Sequence, residues 1–197
     1  TNSDVEVLVH LYEEYGYECI EKLNGMFAFI LYDQKNNKVW IARDRLGIKP
    51  LFYYHMNNQL IIGSDLSSVN SIVKQKIDKY SVILYLGHSY VPAPRTIYKN
   101  ISKLMPGEQI NIENNTVKIS KYWDVDNYTE ESIEKKEVVG LLRGALDESI
   151  KLQTRSDVPV GLFLSGGVDS SVVAALTKKI EQRLSFIHLQ LILQTKV

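Results

Sequence analysis

Apolar positions recur with two different periods along this chain, and the change of period divides it. At the front, Ser3 followed by Glu6 has the form of a helix capping box. Val5, Leu8, Val9 and Tyr12 then recur at helical spacing until Gly16. The spacing predicts a helix to about residue 15. Beyond it, short apolar runs dominate: residues 25–32 (GMFAFILY), 39–42, 51–54 and 60–63, separated by polar turns at 33–37 and 55–58 and by the charged loop 43–50. Four such runs predict an antiparallel meander whose strands are buried on both sides and therefore nearly uniformly apolar.

Two helices are predicted near 65–74 and 79–86. Pro92 and Pro94 hold an extended path through 90–98. A hairpin follows, with strands 109–112 and 117–120 around Glu113-Asn114-Asn115-Thr116, and Tyr122-Trp123 closes this half. Residues 124–136 are polar and read as a linker. From 137 to 152 the period is helical, with Val138, Leu141, Leu142, Ala145, Leu146 and Ile150 on one side. The run 160–164 then reads as a buried strand of parallel type.

That last strand ends at Ser165-Gly166-Gly167, and helix-forming residues follow at once. Strand, glycine turn and helix N-terminus together favour a phosphate, because uncovered amides and the helix dipole converge there. The hydroxyls of Ser165, Ser170 and Ser171 add donors. The segment is not a GxxxxGK[ST] loop, since Asp169 stands where the lysine would be. An acid beside phosphates implies a bound magnesium ion or a leaving pyrophosphate rather than a direct phosphate contact. It is not a GxSxG nucleophile elbow either.

Composition excludes several classes. With 197 residues the chain has room for one large or two small domains. Lys and Arg number 23 and Asp and Glu 23, so no net field favours nucleic acid or an anionic membrane. The single Cys19 rules out an internal disulfide framework and fits a reducing, cytoplasmic setting. No apolar run approaches the roughly 20 residues of a membrane span. The four histidines are dispersed, without metal-ligand spacing.

Five motifs occur in order: Thr1-Asn-Ser-Asp-Val-Glu-Val7, Leu23-Asn-Gly-Met-Phe-Ala-Phe29, Ala42-Arg-Asp-Arg-Leu-Gly-Ile-Lys-Pro-Leu-Phe-Tyr53, Leu104-Met-Pro-Gly-Glu108 and the SGGVDSS segment. Together they resemble glutamine-hydrolysing asparagine synthetases over almost the whole chain. The resemblance implies a fold class of α+β followed by α/β. Residues 1–123 would be the second half of a class II glutamine amidotransferase domain, an antiparallel sandwich of the N-terminal-nucleophile type. Residues 124–136 would be the linker. Residues 137–197 would open a parallel-sheet ATP pyrophosphatase domain.

The implied activity is ATP-dependent conversion of aspartate to asparagine by way of β-aspartyl-AMP, with ammonia drawn from glutamine. A paralogous amidotransferase with another acceptor, β-lactam-forming or glycan-modifying, and a non-catalytic remnant are the alternatives. Glutamine, aspartate and ATP are the expected small-molecule partners, ATP and Mg²⁺ the expected cofactors, and a homodimer of the intact parent a further expectation. By the resemblance, Asp4 grips the ammonium of glutamine. Leu164, Ser165, Gly166, Gly167, Asp169, Ser170 and Ser171 hold ATP and its pyrophosphate, with Asp169 reaching the metal indirectly. The nucleophilic cysteine is expected outside this segment, because Cys19 reads as a small buried hydrophobe. Arg43, Asp44, Arg45 and Lys49 are expected to form a structural ion-pair cluster. Residues 191–197 match nothing in the family, and the segment is expected to be an internal fragment.

Overall fold

The computed structural model describes residues 3–127, 132–156 and 158–180, together with the backbone of 185–188. It forms two compact units divided between Thr129 and Glu130.

The first unit begins with helix α1, Asp4–Tyr15. Ser3 caps it, its hydroxyl accepting the Val5 amide at 3.3 Å. A 3₁₀ segment, Gly16–Lys22, which the periodicity did not predict, follows. Strands β1 (Ala28–Asp33) and β2 (Lys38–Arg43) form one hairpin; β3 (Phe52–Met56) and β4 (Gln59–Gly63) form another. Helices α2 (Leu66–Val73) and α3 (Lys79–His88) come next. Then follow β5 (Ile101–Lys103), which was not anticipated, and the predicted hairpin β6 (Glu108–Glu113) and β7 (Thr116–Lys121).

The expected meander does not form. β2 pairs with β6, giving the sheet order β1-β2-β6-β7, while β3 sits between β4 and β5 in a second sheet. The charged loop after β2 carries the chain from one sheet to the other. The two sheets pack face to face. Ile41 and Ile110 of the first meet Leu51 and Leu104, which flank β3 and β5 of the second, joined by Val39, Ile112, Tyr53 and Ile62.

Side-chain alternation places Trp40 and Ala42 on the opposite face of β2, under α1 and the 3₁₀ segment, with Leu8, Leu11, Tyr12, Cys19 and Ile20. The outer face of the second sheet is covered by α2, where Val69 meets Tyr54 and Ile101. The order is helix, sheet, sheet, helix. It explains why β2 is apolar at successive positions: Trp40, Ile41 and Ala42 are all fully buried. Edge strand β1 is less covered, and Ile30 and Tyr32 are exposed. The stripe of α1 also differs from expectation. Val5 and Val9 face solvent, and the packed residues are Leu8, Leu11 and Tyr12.

The second unit consists of α4 (Lys135–Gln153), β8 (Gly161–Leu164), α5 (Val168–Ile180) and β9 (Ser185–His188), with β8 and β9 parallel. This is a strand–loop–helix–strand unit of α/β type. α5 packs on β8 and on α4. β8 is not the buried strand expected: Leu162 and Leu164 are half-covered, and Phe163 on the other face is exposed. Residues 191–197, the tail expected to match nothing in the family, and 128–131 of the expected linker lie outside the described residues.

Candidate functional site

The first candidate is an open cleft of about 450 Å³ in the first unit. Three parts of the chain build it. α1 contributes Asp4 and Leu8 from its first two turns. The approach to β1, from Leu23 to Phe29, forms the floor. Lys49, Pro50 and Ser64 close one side. Asp4 lies exposed in the first turn of α1, where the helix dipole favours a carboxylate. Asp4 and Lys49 are the two charged residues of the lining, and much of the remainder is apolar. Such a cleft suits a small zwitterion with a methylene chain. Asn24, Lys49 and Ser64 were not singled out as lining. Only the tertiary contact brings them to Asp4.

The wall carrying Lys49 is held by buried charge. Asp44 is 1% exposed. Its carboxylate accepts the amides of Leu46 (3.1 Å), Ile48 (3.0 Å) and Lys49 (3.0 Å). The amide of Asp44 donates to Phe27 O at 2.8 Å. Arg43 spans the same loop from the other side: its guanidinium donates to Lys49 O (2.7 Å), Leu104 O (2.5 Å) and Gly47 O (2.6 Å). Burial pulls its pKa below the usual arginine value, against the charge of Asp44. Arg45 donates to the carbonyls of Leu23 and Glu21. In place of the expected ion-pair cluster, the side chains of Arg43, Asp44 and Arg45 bond to backbone, and Lys49 takes part through its main chain. A sheet-to-sheet crossover has no strand ladder to take up most of its peptide groups, and these side chains satisfy several of them.

The turn Leu104–Glu108 docks against the same loop. Gly107 donates to Asp44 O at 3.1 Å, and its own carbonyl accepts the amides of Tyr122 (2.8 Å) and Trp123 (3.3 Å). Gly107 has φ +68°, and a Cβ there would lie 2.3 Å from the Trp123 carbonyl oxygen. The Tyr122 hydroxyl donates to Arg43 O at 2.6 Å.

Cys19 is far from a nucleophile's setting. It is fully buried beside Trp40 and Ile20, and burial pushes its thiol pKa up.

The second candidate is the loop between β8 and α5. Leu164 ends β8, and Ser165, Gly166 and Gly167 are exposed. Gly166 takes φ +80° with open space where a Cβ would stand. The hydroxyls of Ser165 and Ser170 lie 3.0 Å apart across the loop, and Ser170 Oγ donates to Gly167 O at 3.1 Å. Ser171 N also donates to Gly167 O, so the amides ahead of it at the start of α5 have no intrahelical acceptor. Asp169 is exposed in that first turn. The structure brings all seven loop residues of the sequence reading together around one solvent-open turn. Among the described residues, no three histidine, cysteine or carboxylate side chains gather as a metal cage. No helix of the described residues is long and apolar enough to cross a membrane.

Residues 1–123 match the family model described as glutamine amidotransferase domain. The chain belongs to that family. Residues 141–191 match a second family model, described as asparagine synthase. The resemblance drawn from the five motifs is thereby borne out. Curated relatives agree with it. Asparagine synthetase [glutamine-hydrolyzing] 1 of Bacillus subtilis is 37% identical over 182 residues, covering 91% of this chain and 28% of that protein. Asparagine synthetase B [glutamine-hydrolyzing] of Escherichia coli is 34% identical over 187 residues, covering 93% and 28%. A protein named amidase chyE, of Penicillium rubens, is 33% identical over 178 residues, covering 88% and 26%. The chain thus spans between about a quarter and a third of the length of these relatives. Among solved structures, glutamine phosphoribosylpyrophosphate amidotransferase of B. subtilis aligns with a TM-score of 0.44 at 18% identity, over 95% of this chain and 39% of that one.

Proposed function

We propose that this chain is the glutamine-binding back half of a class II amidotransferase domain of the N-terminal-nucleophile type, joined to the opening of an ATP pyrophosphatase domain. The boundaries would be residues 1–123, a linker at 124–136, and 137–197. The full-length protein would convert aspartate to asparagine. The observation that carries this reading is the succession, in one chain, of an amidotransferase match and an asparagine synthase match. Relatives named as asparagine synthetases favour aspartate over another acceptor. A cytoplasmic location and a homodimer accompany this reading.

In the first unit, Asp4 would hold the ammonium of glutamine at the cleft, with the floor residues Phe27 and Met26 against its methylenes. In the second, the amides at the start of α5 and the hydroxyls of Ser165, Ser170 and Ser171 would hold the β- and γ-phosphates of ATP, and Leu164 would meet the nucleotide through its backbone. The aspartate carboxylate oxygen attacks the α-phosphorus, and pyrophosphate leaves into this loop. Ammonia then attacks the acyl carbon and AMP departs, with one proton released. Adenylation is needed because a carboxylate oxygen is a poor leaving group. A Mg²⁺ ion arriving with ATP would be met by Asp169 and would supply charge neutralisation. The lone carboxylate in a hydroxyl- and amide-rich loop fits a metal carried by its substrate better than one caged by protein.

The test is kinetic. In the full-length protein, Asp4→Ala raises the glutamine KM by about ten- to a hundredfold, the scale of one lost charge-assisted contact, while ammonia-dependent synthesis stays near normal. Unchanged glutamine kinetics would reduce Asp4 to a helix-terminus acid.

A further inference from the structure

The cleft's Lys49 wall stands on a single buried carboxylate. We infer that Asp44 is a positioning residue for glutamine binding: it locks the Lys49–Pro50 side of the cleft to the Phe27 floor. This rests on the reading of the cleft as the glutamine site.

Asp44 makes the connection through two kinds of atoms. Its main-chain amide donates to the carbonyl of Phe27, on the floor, and its Oδ2 accepts the amide of Lys49, on the wall. One residue that does not line the cleft therefore bonds directly to two that do. The side chain is 1% exposed, so no water competes for its oxygens. Arg43 reinforces the same point by taking the Lys49 carbonyl at 2.7 Å. The peptide groups on both sides of Lys49 are fixed by charged side chains, the buried Asp44 on one and the partly buried Arg43 on the other, and Lys49 lines the cleft.

The arrangement of acceptors makes the proposal separable from a general role in folding. Oδ1 serves Leu46 and Ile48, in the body of the loop, and Oδ2 serves Lys49 alone. An asparagine has one acceptor oxygen and one NH₂ donor. The orientation that loses least keeps the oxygen on Leu46 and Ile48 and turns the NH₂ toward the Lys49 amide. Two donors then face each other, and the wall is released while the loop body stays bonded. Asp44→Asn thus loosens the cleft end of the loop first.

The experiment uses the full-length protein, with glutamine-dependent and ammonia-dependent synthesis measured on the same preparations, well below the melting temperature. The expected result for Asp44→Asn is a glutamine KM raised roughly tenfold, a kcat at saturating glutamine within about twofold of wild type, and unchanged ammonia-dependent synthesis. Gly47→Ala tests the same wall without touching the carboxylate. Its Cβ would stand 2.9 Å from Pro106 Cγ and 3.1 Å from the Arg43 guanidinium carbon at φ +64°, and it is expected to raise KM in the same way. If Asp44→Asn does not fold, Gly47→Ala decides. A glutamine KM unchanged in the folded variants, or a fall of kcat with KM unchanged, overturns the positioning role. Asp4→Ala separates the two levels. If it leaves KM unchanged, the cleft reading itself fails. If it raises KM while Asp44→Asn and Gly47→Ala do not, only the role of Asp44 fails.

Discussion

Gly107→Ala is the substitution whose cost is most directly set by the geometry. At φ +68° an alanine pays the left-handed conformation, roughly 1–2 kcal/mol. Its Cβ would also lie 2.3 Å from the Trp123 carbonyl oxygen and 3.1 Å from the carbonyl carbon. Both are backbone atoms, so no side-chain rotation relieves the overlap. The Tyr122–Trp123 segment has to withdraw. Doing so strains the two amides that donate to Gly107 O at 2.8 and 3.3 Å, each worth about 1 kcal/mol. The expected loss is about 2–4 kcal/mol. Urea unfolding followed by tryptophan fluorescence measures it, since both tryptophans, Trp40 and Trp123, belong to the first unit. With an m-value of about 2 kcal/mol/M, the midpoint falls by about 1–2 M. Gly25→Ala is the control, because that glycine has open space around it and no positive φ, and its change stays within about 0.5 kcal/mol. If Gly107→Ala matches Gly25→Ala, the contact with Trp123 is not what holds this corner.

Three further outcomes are expected. Cys19, fully buried and with its thiol pKa raised, stays unreactive toward a disulfide reagent in the native protein at pH 8 and reacts on unfolding; rapid native labelling contradicts the packing. Burial pushes the Tyr122 hydroxyl up to about 12, and burial with the Glu113 hydrogen bond raises Tyr17 as well. Both folded values lie above the ordinary value of about 10, so their contribution is present below pH 10 and is lost as pH rises toward and through the folded values, about 12 for Tyr122; urea midpoints between pH 9 and 12 fall, more steeply than in Tyr122→Phe. In the full-length protein, Asp169→Asn suppresses AMP formation from labelled ATP while glutamine hydrolysis persists. Normal AMP formation contradicts the metal role, and release of ADP and phosphate contradicts the whole assignment of the loop.

The loop between β8 and α5 was legible from residues alone, because everything it needs is local. Two glycines, a flanking strand and a helix start specify one turn, and the seven residues named from the sequence surround it. The hairpins β1–β2, β3–β4 and β6–β7 were equally local, with polar turns between apolar runs. What joins them was not. Which hairpins share a sheet depends on contacts such as Trp40 opposite Asn111 across β2 and β6, far apart in the chain. Short apolar runs carry no record of that partner. The same limit hid the face of α1: Val5 and Leu11 are equally apolar, and only docking on Trp40 decides that Leu11 turns inward. It also hid the cleft, since Asp4, Phe27, Lys49 and Ser64 meet only after the chain has crossed between sheets. The sequence by itself determined the local turns, the glycine loop between β8 and α5 and the family. Tertiary structure decided the pairing of strands and the use of Asp44 and Arg43 as backbone ligands, because a crossover's unsatisfied peptide groups exist only once the two sheets have packed.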